Sequence, residues 1–140
     1  MAIRCVVYDH LPPQAAAIRR RVFVEEQGFV NEFDSVDSSA CHALLYDDSQ
    51  AVATGRLFDK EGKAVIGRVA VLPEYRGRHL GAAVMQALEK EAADRGYACV
   101  TLSAQCRARS FYEKQGYHAV GEIYKDEYCD HIRMEKNIEK

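Results

Sequence analysis

Residues 65–95 read VIGRVAVLPEYRGRHLGAAVMQALEKEAADR, and this stretch decides the fold class. Residues 65–71 are apolar and rich in β-branched side chains, the composition of a strand. Leu72-Pro73-Glu74 closes it, because proline has no N–H to give to a ladder. Further on, Leu80, Val84, Leu88 and Ala92 recur every four residues, while Gln86, Glu89, Lys90 and Asp94 lie mostly elsewhere around the axis. That is the pattern of an amphipathic helix. Between the two stands Arg76-Gly77-Arg78-His79-Leu80-Gly81-Ala82. The unit is a strand, a short glycine-containing loop and a helix.

Such a unit can bind an anion. The first turn of a helix has unpaired N–H groups, and the macrodipole adds partial positive charge there. Gly77 and Gly81 let a phosphate approach the backbone, and Arg76, Arg78 and His79 add charge. The spacing is neither Gly-x-x-x-x-Gly-Lys-Ser/Thr nor Gly-x-Gly-x-x-Gly, so it excludes a Walker loop and a dinucleotide fingerprint. Spacing alone leaves two readings: a phosphate cradle, or an ordinary loop whose glycines only turn the chain.

Residues 76–82 resemble the Arg/Gln-x-x-Gly-x-Gly/Ala pattern of the GNAT superfamily of N-acetyltransferases. Arg76 fills the first place and Gly81 the last, while His79 departs from the pattern by standing where its first glycine would be. Near the C-terminus Phe111-Tyr112-Glu113-Lys114-Gln115-Gly116-Tyr117 is similar to the family's Phe-Tyr-Glu-Lys-x-Gly-Phe/Tyr. Arg21-Val22-Phe23-Val24-Glu25-Glu26-Gln27, Leu102-Ser103-Ala104-Gln105 and His131-Ile132-Arg133-Met134 further resemble the small bacterial ElaA-type subgroup. The resemblance covers nearly the whole chain, and two motifs in order are far more specific than either alone.

Length and composition bound the rest. A chain of 140 residues is expected to be a single domain, 1–140, with one core. Hydrophobic content of 48% and charged content of 29% are those of a globular protein. A formal net charge of −2 makes no electrostatic case for nucleic acid or an anionic membrane. No apolar run reaches the ~20 residues of a membrane span, and no signal-peptide core follows Met1. Cys5, Cys41, Cys99, Cys106 and Cys129 are odd in number and contain no Cys-x-x-Cys, which predicts reduced thiols and a cytoplasmic protein.

Elsewhere the pattern predicts a strand at 3–8 and a helix at 14–27 that begins after Pro12-Pro13 and stops at Gly28. Residues 29–39 read as a loop or broken short helix facing the substrate. Strands follow at 40–46 and 51–58 around a turn at 47–50, then a second turn at 59–63. After the central helix come a strand at 98–103, a short helix at 106–115, and a last antiparallel pair, 117–124 and 131–135, around Lys125-Asp126-Glu127. The order β-α-β-β-β-α-β-α-β-β fits an α/β domain. It is also the GNAT order, a mixed and mostly antiparallel sheet with flanking helices.

The resemblance implies transfer of an acetyl group from acetyl-CoA to a primary amine of a small molecule or peptide. It implies that Arg76, Gly77, Arg78, His79, Leu80, Gly81 and Ala82 hold the pyrophosphate. Val69, Ala70 and Val71 then offer backbone groups to the pantetheine arm and the thioester carbonyl, where such donors stabilise an oxyanion. Tyr112 would stand beside the coenzyme sulfur as general acid. Its phenol titrates near ~10 against ~8.5 for a thiol, and it can protonate the departing thiolate. Gln105 stands where many relatives carry an asparagine that contacts the coenzyme. Read only as residues, Tyr112 is a half-buried helix aromatic beside Phe111, and Gln105 is either a coenzyme contact or a polar strand end.

The general base is less determined. Many relatives place a carboxylate on the central strand, where this chain has Gly67 and Arg68. Glu25, Glu26, Asp37, His42 and His131 are the replacements, with Glu26 and His131 selected, and a base acting through water needs no single residue. Phe29, Phe33, Asp34 and Asp37 suggest a pocket with apolar walls and negative charge, suited to a cationic amine. Cys41-His42 and Cys129-x-His131 would meet only if their strands paired, and their spacing matches no usual zinc pattern, so no metal site is expected. The missing carboxylate also permits a coenzyme A-binding module without catalysis, and exposed aromatics in 29–39 would suit an interaction domain. The family often dimerises, so a homodimer is one expected assembly.

Overall fold

The computed structural model describes residues 2–29, 33–126 and 129–138. Its elements are β1 (Ile3–Tyr8), α1 (Pro13–Arg19), β2 (Cys41–Asp47), β3 (Gln50–Lys60), β4 (Lys63–Val71), α2 (Leu80–Asp94), β5 (Cys99–Gln105), α3 (Arg109–Lys114), β6 (His118–Asp126) and β7 (Cys129–Asn137). Element order agrees with the reading from sequence. Glu127 of the expected last turn and residues 30–32 of the polar segment lie outside the described residues. Strand ends reach further than the apolar pattern, because backbone pairing continues where side chains turn polar, as at Lys60↔Lys63.

The expected helix at 14–27 is an α-helix only as far as Arg19. Arg20–Glu26 continues it as a π-helical segment, and Gln27 N–H donates to the Val22 carbonyl at 3.1 Å. The wider turn reduces the angle between neighbouring side chains, so the adjacent Val22 and Phe23 are both buried. In the polar segment a short 3₁₀ helix forms at Ser35–Ser38. Its capping box is reciprocal: Val36 N–H donates to the Asp34 carboxylate and Asp34 N–H to the Asp37 carboxylate.

The sheet order is β1-β2-β3-β4-β5-β7-β6. Only β4 and β5 pair in parallel; the other neighbours are antiparallel. Alternating residues of β2 feed two cores. Cys41, Ala43 and Leu45 meet the α2 face of Leu80, Val84, Met85, Leu88 and Ala92. Leu44 and Tyr46 join Ala15, Ile18, Val22 and Phe23 of the first helix. The two helices thus cover opposite faces, and each buried Leu or Val contributes about 1.5–3 kcal/mol. α2 lies flush on β3 because Gly55 has no side chain: a Cβ there would stand 2.8 Å from Val84 Cγ1 and 3.0 Å from Leu88 Cδ1.

A bulge splits this sheet in the middle. Between the pairs Arg56↔Gly67 and Thr54↔Ala70, β3 has one residue, Gly55, where β4 has two, Arg68 and Val69. Arg68 takes φ 53°, the left-handed region, which costs a side-chain-bearing residue about 1–2 kcal/mol. A bulge bends and twists its strand. Accordingly, the parallel pairing of β4 with β5 is confined to Ala64↔Val100 and Val65↔Thr101. Beyond those two pairs the strands diverge.

Candidate active site

The divergence opens a cleft of about 440 Å³ between β4 and β5, a size suited to a small ligand or one arm of a larger one. Gly67, Arg68 and Val69 of β4 form one wall, and Ser103 and Gln105 of β5 another. Phe23, Gln27 and Phe29 close one end, and Ala108 and Tyr112 come from the segment after β5. Past residue 65 the edge of β4 that faces β5 is unpaired, so its backbone polar groups are available to a ligand.

Four of the predicted catalytic and coenzyme-binding residues meet in this cleft: Val69, Gln105, Tyr112 and His131. The Tyr112 ring packs edge-on against Phe111 and Tyr117, at 5.0 and 6.0 Å between centroids. Burial pushes its phenol up to about 12, so the hydroxyl keeps its proton at neutral pH. His131 lies opposite Gln105 in the β5–β7 register and is 7% exposed. Its Nδ1–H donates to the Cys129 carbonyl at 3.2 Å. A carbonyl can only accept, so in the neutral ring Nε2 carries the lone pair. Tyr124 stacks on this ring at 6.1 Å and shares a hydrogen bond with Ser103. Gln105 bridges the mouth: its Nε2–H donates to Gln27 Oε1 at 2.9 Å, and Arg107 Nε–H donates to Gln105 Oε1 at 2.7 Å.

The predicted phosphate loop follows β4. Gly77 has φ 81° and His79 φ 62°. The second value explains why a glycine suits that position and what the histidine does there: it follows the same left-handed trace at a conformational cost. The His79 carbonyl accepts the Ala83 N–H at 3.2 Å to begin α2. The N–H groups of Leu80, Gly81 and Ala82 therefore belong to an open first turn. Gly81 also seats α3 on α2, since a Cβ there would lie 3.2 Å from Phe111 Cζ. The two motifs read from sequence touch at this point.

Residues 9–138 match the model of the acetyltransferase (GNAT) domain family. The chain belongs to the GNAT acetyltransferase family. The uncharacterized N-acetyltransferase YjcF of Bacillus subtilis strain 168 is 36% identical over 123 residues, 86% of this chain and 88% of that protein. Escherichia coli ElaA superposes with a TM-score of 0.87 at 26% identity, covering 97% of this chain and 100% of that one. An acyl-CoA N-acyltransferase from Pseudomonas aeruginosa superposes at 0.85 with 30% identity, covering 96% and 99%. As a GNAT protein the chain is an acyltransferase, and acetyl-CoA is the family's acyl donor. Among the described residues no helix is long and apolar enough to cross a membrane.

Other predicted residues of this GNAT domain sit outside the cleft lining. Ala70 is buried in the core on the α1 side, and Val71 packs on the α2 side. Arg78 lies over the Tyr75 ring at 5.1 Å. Glu26 and Arg76, selected separately as base and phosphate ligand, bind each other: both terminal nitrogens of Arg76 donate to the Glu26 carboxylate at 2.7 Å. Arg76 Nε–H also donates to the Val71 carbonyl at 3.1 Å. Together they fasten the end of the first helix to the end of β4. The Arg76 bond holds the Glu26 carboxyl below its ordinary range, which makes it a weaker proton acceptor. Replacing Glu26 with glutamine is expected to leave turnover within about threefold and stability within about 1 kcal/mol, as for an exposed ion pair. A loss above about 100-fold, the scale of a general base, would return Glu26 to that role.

The expected negative charge of the polar segment does not reach the cleft. Asp37 is buried, with Arg19 donating at 2.7 and 3.1 Å and Arg56 at 2.9 Å. Asp34 takes Arg56 at 2.8 and 3.2 Å and lies 3.5 Å from Arg68. The Phe33 ring stays exposed, with Arg19 and Arg20 over it at 4.8 and 5.5 Å, and of the expected pocket residues only Phe29 lines the cleft. His42 is buried as well, and its Nε2–H donates to the Asp37 carbonyl at 3.0 Å. Burial lowers its pKa. Its strand, β2, is separated from β7 by three strands, β3, β4 and β5, so Cys41-His42 does not meet Cys129-x-His131.

Sequence reasoning did not select Arg68, Arg107 or Asp126 as cleft residues, yet all three line it. A signal for the first existed. Gly67 interrupts a β-branched run, and an isolated glycine in a strand marks a bulge or a close backbone approach.

Proposed function

We propose that this chain moves the acetyl group of acetyl-CoA directly to a primary amine of a small molecule or peptide. The observation that carries the reading is the split between β4 and β5, with the half-buried, protonated Tyr112 and His131 both lining it. In this reading residues 76–82 hold the pyrophosphate mainly through the open first turn of α2. Arg76 orders the loop through Glu26 and Val71, Arg78 and His79 add positive charge, and Gln105 closes over the pantetheine arm.

The β4 edge that β5 leaves open at Val69 to Val71 faces the thioester, and its N–H groups stabilise the oxyanion formed as the amine nitrogen attacks the carbonyl carbon. Nε2 of His131 takes the amine proton, directly or through water. The tetrahedral intermediate collapses, the C–S bond breaks, and the Tyr112 O–H supplies the proton to the departing sulfur. The products are the amide and coenzyme A thiol. The chain works as a single domain, 1–140, a reading supported by one sheet running from β1 to β6. Its five free cysteines suit a reducing, cytoplasmic setting.

Calorimetric titration with acetyl-CoA and with coenzyme A, followed by a screen of amines for thiol release, tests the proposal. Micromolar binding and amine-dependent thiol release are expected. Binding without turnover on any amine would leave a coenzyme A-binding module, and absence of binding would overturn the coenzyme site itself.

A further inference from the structure

The bulge that opens the cleft also decides what faces it. Arg68 is held in the left-handed region at the midpoint of β4, where an unstrained strand would keep regular alternation. The result is a guanidinium in the cleft wall. Arg107 adds a second cation, while Asp126, at the end of β6, is the carboxylate among the described lining residues. Of the other two carboxylates nearby, both absent from that lining, Asp37 is engaged by Arg19 and Arg56, and Asp34 is engaged by Arg56 and pairs with Arg68 at 3.5 Å.

We propose that the acceptor amine carries an anionic group, a carboxylate or a phosphate, and that Arg68 receives it. This rests on the acetyltransferase reading of the cleft. A guanidinium presents a planar fork of N–H donors that fits carboxylate and phosphate oxygens in pairs. Asp34, 3.5 Å from Arg68 Nη2, steadies that fork, so less side-chain freedom is lost when a ligand binds. Asp126 offers the complementary charge to an ammonium entering the same cleft. An amino acid or an aminoalkyl phosphate presents both charges on a short frame, with its nitrogen within the space that Tyr112 and His131 share. A polyamine would bring its cations against Arg68 and Arg107.

The test uses matched amines on the coenzyme A-loaded protein: β-alanine against its amide, phosphoethanolamine against ethanolamine, and putrescine. Calorimetry should show the anionic member of at least one pair binding roughly tenfold or more tighter than its neutral counterpart. The preferred pair tells carboxylate from phosphate. Arg68→Gln should erase the preference while leaving coenzyme affinity and the melting temperature unchanged, and Arg68→Lys should restore part of it. Equal or tighter binding of the neutral amines or putrescine by the unaltered protein would overturn the proposal, as would a preference that survives Arg68→Gln. Arg68-dependent binding of anionic amines without acetylation of any of them would sink the transferase reading and keep this one. Acetylation of neutral amines with no anionic preference would do the reverse.

Discussion

Tyr112→Phe should lower turnover by roughly 10²–10⁴-fold, the range lost with a general acid, and leave coenzyme binding and the melting curve nearly unchanged. The substitution removes one oxygen from a ring whose packing against Phe111 and Tyr117 persists, so the folded state loses little. Turnover loses the proton that makes the thiolate a good leaving group. Burial holds the phenol at about 12, so the acid form persists well above neutral pH, and any alkaline limb of the rate that begins below about pH 10 belongs to another group. Steady-state thiol release, with calorimetry on the same preparation, measures both quantities. Turnover within about threefold of the parent would remove Tyr112 as the acid and leave thiolate protonation to solvent.

Asp37→Ala should produce the largest loss of stability, about 3–5 kcal/mol, because it removes the carboxylate that two buried cations share, leaving Arg56 with Asp34. The Arg19 side chain is 1% exposed and that of Arg56 5%, and both donate to Asp37. Denaturant unfolding measures the loss, and a change below about 1 kcal/mol would show that the cluster rearranges around the gap. The same group sets an acid limb. Burial by itself would raise the Asp37 pKa, but the guanidiniums of Arg19 and Arg56 and the Asp34 N–H overcome it and hold the group at about 2, against 3.8 ordinarily. A depressed carboxyl contributes stability above its unfolded value and loses it as pH falls through the folded one. Stability should therefore drop by roughly 2 kcal/mol between about pH 4 and pH 2 through this group. Asp37→Asn should flatten that limb, and an unaltered limb would assign acid sensitivity to other carboxylates.

Both effects concern residues that were visible early to different degrees. Tyr112 was legible because Phe111 to Tyr117 is a contiguous motif on one short element, and its place beside the cleft follows from α3 packing on Gly81. Asp37 was legible only as a polar residue in a polar segment. Its partners lie 18 and 19 residues away in the chain, on two different elements. The reading of a negatively charged pocket failed for that reason: charge was counted along the chain, while its direction is set by which elements pack together. Glu26 and Arg76 teach the same lesson. Each was a reasonable site residue alone, and a separation of 50 residues hid that they bind each other.

The sequence by itself determined the element order, the amphipathic face of α2, the loop of residues 76–82 and the aromatic motif that carries Tyr112. These depend on periodicity, on proline and glycine chemistry, and on short-range spacing, all of which act within one or two turns of chain. The tertiary structure decided the rest. It placed the bulge at Arg68 and so opened β4 from β5, joined Glu26 to Arg76, turned Asp37 inward and tied Asp34 to Arg56, and brought Arg68, Arg107 and Asp126 to one cleft. Strand register and ion pairing are settled by competition among distant partners for the same backbone edges and charges, and no local pattern carries that outcome.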